Sequence, residues 1–117
     1  MKLLILDRDG VINKALIRDA KPYPPKGISD LELLPKVNTA LRKLSESNYK
    51  LIIVTNQPDV ARGKAKLKEV NEINEHLMKL LPIDKVMCCF HDDIDNCECR
   101  KPKPGMIIEA SRKLSIN

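Results

Sequence analysis

Three short apolar runs, each ending at polar residues, restrict what this chain can fold into. Each run is too short for a helix and is rich in aliphatic residues, as a buried strand of a parallel sheet is. Amphipathic patterns typical of helices separate the runs. The predicted strands lie at residues 2–6, 49–54 and 85–90, and the predicted helices at 35–47, 64–80 and 104–114. Because strands and helices alternate, the sequence predicts an α/β fold with a parallel sheet and flanking helices.

The segment at residues 14–30 interrupts this alternation. It contains Pro22, Pro24, Pro25 and Gly27. Because prolines and glycines disfavour helices and central strands, we expect an irregular surface loop of about seventeen residues here. Loops of this length usually have a function or are mobile.

Length and composition limit the class of protein. The chain has 117 residues, 43% of them hydrophobic and 32% charged, which suits one globular domain over residues 1–117. The first apolar run, Leu3–Leu6, is cut by Asp7, so we interpret it as neither a signal peptide nor a membrane span. We therefore expect a cytoplasmic protein with no membrane partner.

The charge and the aromatic content together indicate the kind of partner. A net charge of +5 suits an anionic ligand. However, two tyrosines, one phenylalanine and no tryptophan leave little on which nucleic-acid bases can stack. We therefore expect a small phosphorylated molecule as the partner, and no nucleic acid.

Polar residues follow each predicted strand, and the carboxyl ends of parallel strands form the ligand-binding edge of such a sheet. Asp7 and Asp9, which follow the first strand, are two residues apart and therefore point to the same side of an extended segment. Their mutual repulsion is relieved by a cation, and Mg²⁺ takes carboxylate oxygens as ligands. The alternative interpretation of this segment is a tight turn at Gly10.

Further polar residues follow the second and third strands. Thr55 and Asn56 offer a hydroxyl and an amide to a phosphate oxygen, although they are also typical of a strand-end turn. Arg100 and Lys101 bring positive charge to the same edge, where it can neutralise a transferring phosphoryl group. The alternatives are a basic surface run for these two residues and a solvated surface charge for Arg62.

All four cysteines lie within twelve residues, with a histidine between them. Cys89, His91, Cys97 and Cys99 supply three thiols and an imidazole, a sufficient tetrahedral set for structural Zn²⁺. In a cytosolic chain such a cluster indicates a metal site before a disulfide framework. Strand alternation predicts that the remaining cysteine, Cys88, points away from Cys89 into the core. The alternative is a loop of free cysteines.

Taken together, these motifs resemble the haloacid dehalogenase superfamily of phosphatases. Within that superfamily the chain is similar to subclass IIIA, the group of heptose-bisphosphate and histidinol-phosphate phosphatases. The resemblance spans nearly the whole chain and keeps the family's motif order. The matching segments are residues 6–13, 54–57, 61–63 and 99–106.

The resemblance implies a Rossmann-like sheet, an aspartyl-phosphate intermediate and dependence on Mg²⁺. Asp7 corresponds to the nucleophile and Asp9 to the general acid and base, and both are implied at the Mg²⁺ site, Asp9 through its backbone carbonyl. Thr55 corresponds to the hydroxyl that binds the phosphoryl group, and Lys101 to the lysine that steadies its charge. The substrate-binding residues are expected to be Asn56, Gln57, Arg62 and Arg100. The implied zinc ligands, in a loop that takes the place of a large cap domain, are Cys89, His91, Cys97 and Cys99.

Two features depart from the family pattern. Pro58 and Asp59 stand where the heptose enzymes usually have Ser-Gly, which removes a backbone N–H and adds a negative charge near the phosphate region. In addition, the last family motif, which supplies a further aspartate for Mg²⁺, has no counterpart after residue 106. We therefore expect a chain that is incomplete at its C-terminus, with the first strand at an open edge. Such a chain either pairs through this strand with another chain or has weak activity and low stability.

The functional expectation is a Mg²⁺-dependent phosphatase that hydrolyses a small sugar phosphate resembling a heptose bisphosphate. The Pro-Gly-Met sequence at 104–106 favours the heptose enzymes over histidinol-phosphate phosphatases, which are the alternative within the enzyme class. An alternative from another class is a non-catalytic, zinc-stabilised fragment that binds a phosphometabolite or a protein partner. Mg²⁺-dependent release of phosphate distinguishes an enzyme from such a fragment.

Overall fold

The computed structural model describes residues 2–92 and 95–114, and its centre is a parallel sheet. The strands are β1 (Lys2–Leu6), β2 (Leu16–Arg18), β3 (Lys21–Tyr23), β4 (Tyr49–Asn56) and β5 (Lys85–Cys89). The helices are α1 (Val37–Glu46), α2 (Leu67–Leu80) and α3 (Gly105–Lys113). In the described part of the chain, the parallel sheet has three strands in the order β1-β4-β5, with Leu4 opposite Leu51 and Ile53 opposite Val86. The predicted α/β class and parallel sheet are confirmed.

The central strand, β4, is buried on both faces. Leu51 and Ile53 pack in one apolar cluster with residues of α1 and α2, such as Leu41 and Ile73. The alternate residues Ile52 and Val54 pack on the other face, in a cluster with Met106 and Ala110 of α3. The helices therefore flank the sheet on both faces, with α1 and α2 on one side and α3 on the other.

The helices start close to where the apolar periodicity places them. In α2, Val70, Ile73 and Leu77 are buried at spacings of three and four, which is the stripe of a helix that packs on a sheet. α2 begins at Leu67, three residues later than predicted, because the backbone N–H groups of Lys64 and Ala65 both bond back to the Asp59 carbonyl in a preceding turn. None of the helices in residues 2–92 and 95–114 has the length and apolar character needed to cross a membrane.

The prediction of an irregular loop at 14–30 is wrong. β2 and β3 form an antiparallel hairpin within it, with Ile17 opposite Pro22. The connecting residues Asp19 and Ala20 both have positive φ angles, 50° and 60°, which are the values that a tight two-residue hairpin turn requires. Neither is a glycine, so the usual sequence signal for this turn is absent. Pro22 is compatible with a strand because this hairpin has only two strands, both of them edges.

β1 is less buried than its apolar sequence indicates. Leu3, Leu4 and Leu6 are half-buried and Ile5 is 37% exposed. The cause of this exposure is the place of β1 in the sheet. Among the described residues, β1 pairs with β4 on one side and with no other strand. The expected beginning of a further strand after residue 114 lies outside the described residues.

Candidate active site

Residues from distant motifs meet at the carboxyl ends of β1 and β4. The Nζ atom of Lys101 lies 2.9 Å from Oδ1 of Asp7 and donates a second hydrogen bond, also of 2.9 Å, to the carbonyl oxygen of Val54. Asp7 follows β1 directly, and Val54 is near the end of β4. The structure therefore brings together the predicted nucleophile and the predicted phosphoryl-binding lysine, which are separated by 94 residues in sequence.

Asn56 fixes the backbone of Lys101. The N–H of Lys101 donates to Oδ1 of Asn56 at 2.9 Å, and Nδ2 of Asn56 donates to the Lys101 carbonyl oxygen at 3.2 Å. The lysine is thus held both at its backbone and at its ammonium group. The amide of Asn56, expected to bind substrate, is already engaged in holding Lys101.

The Asp9 carboxylate accepts hydrogen bonds at both oxygens. Oδ1 accepts from Nε of Arg8 at 3.1 Å and from Nδ2 of Asn13 at 3.0 Å. Oδ2 accepts from Nη2 of Arg8 at 3.3 Å and from Nε2 of Gln57 at 2.8 Å. The side chain of Asp9 is 22% exposed and that of Arg8 is fully buried. The Asp9 carboxylate is therefore oriented by a buried cation.

Gln57 connects Asp9 to Thr55. Its Nε2 atom donates to Oγ1 of Thr55 at 2.9 Å as well as to Asp9, and its backbone N–H donates to the Cys89 carbonyl at 2.8 Å. Thr55 and Gln57 are almost completely buried. Thr55 accepts this bond, and no described residue takes the hydrogen of its hydroxyl, which can therefore be donated to a phosphate oxygen.

The oxygen atoms near Asp7 and Asp9 suit a hard divalent cation. Oδ2 of Asp7 and the backbone carbonyl oxygen of Asp9 accept no hydrogen bond from the described residues, and the Asp7 side chain is 50% exposed. Mg²⁺ takes such oxygens together with water and substrate phosphate. By contrast, both carboxylate oxygens of Asp9 are already occupied by donors. The donor set fits Mg²⁺ through the Asp7 carboxylate and the Asp9 carbonyl.

One cavity borders Asp9 and another borders Lys101. The first, of about 210 Å³, is lined by Asp9, Pro22, Tyr23, Pro24, Asn56, Gln57, Pro58, Asp59 and Arg62. The hairpin of β2 and β3 thus contributes one wall. Arg62 donates two hydrogen bonds to Asp92, of 2.6 and 2.8 Å, and lies 3.8 Å from Asp59. The second cavity, of about 160 Å³, is bordered by Arg100, Lys101 and Asp92 among others.

The four predicted metal ligands form one cluster. Their donor atoms all lie within 4.8 Å of one another. Cys89 Sγ is 3.5 Å from both Cys97 Sγ and His91 Nδ1, and Cys99 Sγ is 3.3 Å from His91 Nδ1 and 3.6 Å from Cys97 Sγ. A tetrahedral site with Zn–S bonds of about 2.3 Å has sulfur–sulfur edges of about 3.8 Å. The cluster is therefore close to the size and shape that a zinc ion requires.

The thiols of the segment differ in environment. Cys88 lies outside the cluster, as predicted, but it is half-buried and not in the core, whereas Cys89 is fully buried. Burial raises the pKa of the Cys88 thiol to about 12, so it stays protonated at neutral pH. Burial also opposes ionisation of Cys97, but hydrogen bonds, the strongest from the backbone N–H of Arg100, outweigh it and lower the pKa of Cys97 to about 6.

Three residues at this site were not identified from the sequence, namely Arg8, Asn13 and Asn74. The sequence contained a signal for Arg8. Asp7 and Asp9 point to one side of an extended segment, so the residue between them must point to the opposite side. Asn74 had none. It lies on α2, and its Oδ1 accepts a hydrogen bond of 2.8 Å from Nη1 of Arg8, 66 residues away.

The sheet, the flanking helices and the aspartates at the end of β1 define a protein of the haloacid dehalogenase superfamily. Within it, a family model described as polynucleotide kinase 3 phosphatase matches residues 2–116, and the chain belongs to that family. The predicted resemblance to phosphatases of the haloacid dehalogenase superfamily is thereby confirmed.

Several relatives are heptose-bisphosphate phosphatases. The D-glycero-beta-D-manno-heptose-1,7-bisphosphate 7-phosphatase of Bordetella bronchiseptica is 32% identical over 122 residues, covering 100% of this chain and 65% of the relative. The D-glycero-alpha-D-manno-heptose-1,7-bisphosphate 7-phosphatase of Campylobacter jejuni is 36% identical, covering 99% of this chain and 66% of the relative. The chain thus spans 65–66% of the length of these relatives.

A solved structure is similar over almost all of this chain. It is the crystal structure of D,D-heptose 1,7-bisphosphate phosphatase from B. bronchiseptica complexed with magnesium and phosphate. The TM-score is 0.79 at 32% sequence identity, and the match covers 99% of this chain and 65% of that chain.

Proposed function

We propose that this chain carries the catalytic centre of a Mg²⁺-dependent phosphatase that acts on a phosphorylated sugar resembling a heptose bisphosphate. The observation that carries the proposal is the contact of 2.9 Å between Nζ of Lys101 and Oδ1 of Asp7. It places a fixed positive charge beside a partly exposed carboxylate at the binding edge of the sheet. The heptose-bisphosphate phosphatases among the relatives support the substrate class.

In the proposed reaction, a carboxylate oxygen of Asp7 attacks phosphorus in line with the sugar oxygen. The bond between phosphorus and the sugar oxygen breaks, and Asp9 gives a proton to that leaving oxygen. Lys101 and the Thr55 hydroxyl hold the transferred phosphoryl group during this step. Asp9 then takes a proton from water, which attacks the aspartyl phosphate, releases inorganic phosphate and restores Asp7.

The residues assigned to Mg²⁺ are Asp7, through its carboxylate, and Asp9, through its backbone carbonyl. When bound there, Mg²⁺ supplies positive charge that offsets the negative charges of the Asp7 carboxylate and the phosphoryl oxygens. The complex of the B. bronchiseptica enzyme with magnesium and phosphate supports Mg²⁺ as the metal.

We further propose a structural Zn²⁺ ion held by Cys89, His91, Cys97 and Cys99. The donor set of three thiols and one imidazole suits zinc better than the oxygen-preferring cations. Arg100 and Lys101 follow Cys99 directly. A zinc ion in this cluster therefore holds in place the segment that delivers Lys101 to Asp7.

The proposed substrate site comprises the cavity beside Asp9 and the cavity beside Lys101. Arg62 and Arg100 are the side chains assigned to contact the substrate, since each borders a cavity next to the catalytic residues. Asn56 and Gln57 border the first cavity too, but their amides already hold Lys101 and Asp9. We therefore assign these two residues to substrate binding mainly through the groups they position.

The test is release of inorganic phosphate by the purified 117-residue chain, with and without added Mg²⁺. The substrates are D-glycero-D-manno-heptose 1,7-bisphosphate, histidinol phosphate and an aryl phosphate. We expect Mg²⁺-dependent turnover that is fastest on the heptose bisphosphate. Faster turnover of histidinol phosphate would support the alternative enzyme. Absence of turnover on all three substrates, with phosphate binding retained, would support the non-catalytic alternative.

A further inference from the structure

The inference starts from a buried guanidinium beneath Asp9. The Arg8 side chain has no solvent exposure, and its Nε and Nη2 atoms face the two oxygens of one carboxylate at 3.1 and 3.3 Å. This side-on, two-point contact fixes the plane of the carboxylate as well as its position. A buried guanidinium is strongly destabilising unless its donors are satisfied, so the arrangement of its partners is restricted.

The remaining terminal nitrogen of Arg8 is bound by Asn74 of α2. Oδ1 of Asn74 accepts from Nη1 of Arg8 at 2.8 Å, and Asn74 is 7% exposed. Asn74 therefore cannot rotate without breaking its hydrogen bond with Arg8.

A polar residue at this place on α2 is unusual for its surroundings. Its helix neighbours Ile73 and Leu77 are completely buried in the apolar cluster against β4. Burying an amide beside them is unfavourable unless it has partners, and the partner here is the cation that holds Asp9. The contacts form a continuous series from α2 through Asn74 and Arg8 to Asp9.

We propose that Arg8 and Asn74 are positioning residues that set the orientation of the Asp9 carboxylate for proton transfer. This inference rests on the proposed function of Asp9 as general acid and base. Arg8 fixes the carboxylate plane, and Asn74 fixes the rotation of the guanidinium. Neither residue lines the cavity beside Asp9, so each is expected to act on the chemical step and not on substrate binding.

The kinetic test compares matched variants of α2. Asn74→Leu keeps the branching and the number of side-chain heavy atoms but removes the acceptor for Arg8, whereas Asn74→Asp keeps an acceptor oxygen in the same place. Asn71→Leu makes the same change at an exposed position one turn earlier and is the control. We expect Asn74→Leu to lower kcat by about tenfold or more with KM changed by less than about twofold. Asn74→Asp is expected to restore most of kcat, and Asn71→Leu to leave it unchanged.

A second measurement does not depend on activity. In ¹⁵N NMR spectra, a guanidinium held at all three nitrogens gives separate, slowly exchanging Nη signals for Arg8. We expect these signals in the native chain and in Asn71→Leu, and their averaging in Asn74→Leu.

The outcomes separate this inference from the proposed function. Native kcat in Asn74→Leu, or averaged Arg8 signals in the native chain, would overturn the inference while leaving the phosphatase proposal intact. A fall in kcat that Asn74→Asp does not restore would also count against it. If the native chain releases no phosphate from any substrate, the proposed function fails, and the NMR signals still decide whether Asn74 fixes the guanidinium.

Discussion

Asp7 and Asp9 are two residues apart but have different surroundings. Asp7 is half exposed, and its Oδ1 accepts hydrogen bonds from Lys101 and from the backbone N–H of Arg8. Asp9 is largely enclosed and accepts four hydrogen bonds, two of them from a buried cation. The two carboxylates therefore differ in how accessible they are to a substrate. They also differ in how much the free energy of unfolding falls when each is removed.

The first prediction compares Asp7→Asn with Asp9→Asn. Asp7→Asn is expected to abolish phosphate release while changing the free energy of unfolding by less than about 1 kcal/mol, because its ion pair with Lys101 is partly exposed. Asp9→Asn leaves Arg8 buried without its anionic partner and is expected to destabilise the chain by about 2–4 kcal/mol. Phosphate release and urea unfolding measure the two effects.

These two variants also test the covalent mechanism. Asp9→Asn is expected to impair both chemical steps and to retain part of the binding of Mg²⁺ and phosphate, measured by calorimetry. Native turnover by Asp7→Asn is incompatible with nucleophilic attack by this residue. A stability loss in Asp7→Asn as large as that in Asp9→Asn would contradict the description of their surroundings.

The second prediction concerns the cysteines. Cys97→Ser is expected to lower the zinc content, because it removes a thiolate from the cluster, and to reduce the thermal stability of the chain. Cys88→Ser is expected to leave the zinc content unchanged, because Cys88 lies outside the cluster and its raised pKa, about 12, keeps the thiol protonated. Elemental analysis of protein purified without chelator measures both. No zinc in the native chain, or loss of zinc in Cys88→Ser, would contradict the site.

At the scale of elements, α3 and the cysteine segment are in close contact. The N–H of Gly105, the first residue of α3, donates to the Glu98 carbonyl at 3.2 Å. A Cβ atom at residue 105 would overlap that carbonyl oxygen and would lie 3.1 Å from the Cα atom of Cys99. Only a glycine allows the helix to begin this close to the segment that holds the cluster.

The third prediction follows from this contact. Gly105→Ala is expected to displace the backbone at Glu98, to lower the free energy of unfolding by about 1–3 kcal/mol and to weaken zinc binding. Gly27→Ala is the matched control, because its φ is −154° and a Cβ atom there meets nothing within 4 Å. Equal melting temperatures and equal zinc affinities for the two variants would show that the close contact of Gly105 with Glu98 affects neither stability nor zinc binding.

For the whole molecule, the position of β1 is the main consequence of the sheet order. β1 pairs only with β4 among the described residues, and Ile5 is 37% exposed. An apolar strand with one unpaired edge is a site for pairing with another chain. The single domain over residues 1–117, the cytoplasmic location and the absence of a nucleic-acid partner stay predictions.

The fourth prediction is self-association of the chain through β1. Sedimentation velocity is expected to show a mass that rises with protein concentration. Ile5→Lys places a charge on the open strand and is expected to reduce this association, as lysines do on natural edge strands. Ile17→Lys, at a residue of β2 that is 68% exposed, is the control and is expected to leave it unchanged. A monomer at all concentrations would contradict the prediction.

Much of the architecture follows from local sequence patterns. Apolar periodicity placed β1, β4, β5 and the three helices, because burial of a strand or of one helix face needs a regular spacing of apolar residues. The meeting of Asp7 with Lys101 was predictable too, since the carboxyl ends of parallel strands share one edge. The cysteine cluster was predictable from donor type and spacing, with all four proposed ligands brought together.

Other features depended on contacts between distant segments. The turn at Asp19 and Ala20 has positive φ angles without a glycine, so no local signal marked the hairpin. The exposure of β1 depends on which strand lies beside it, which an apolar run does not encode. The contact of Asn74 with Arg8 joins a helix to a strand end, and its residue types are common on any surface. The sequence alone thus determined the elements and their chemistry, and only the tertiary structure decided which side chains hold Asp9, because hydrogen-bond partners are set by packing.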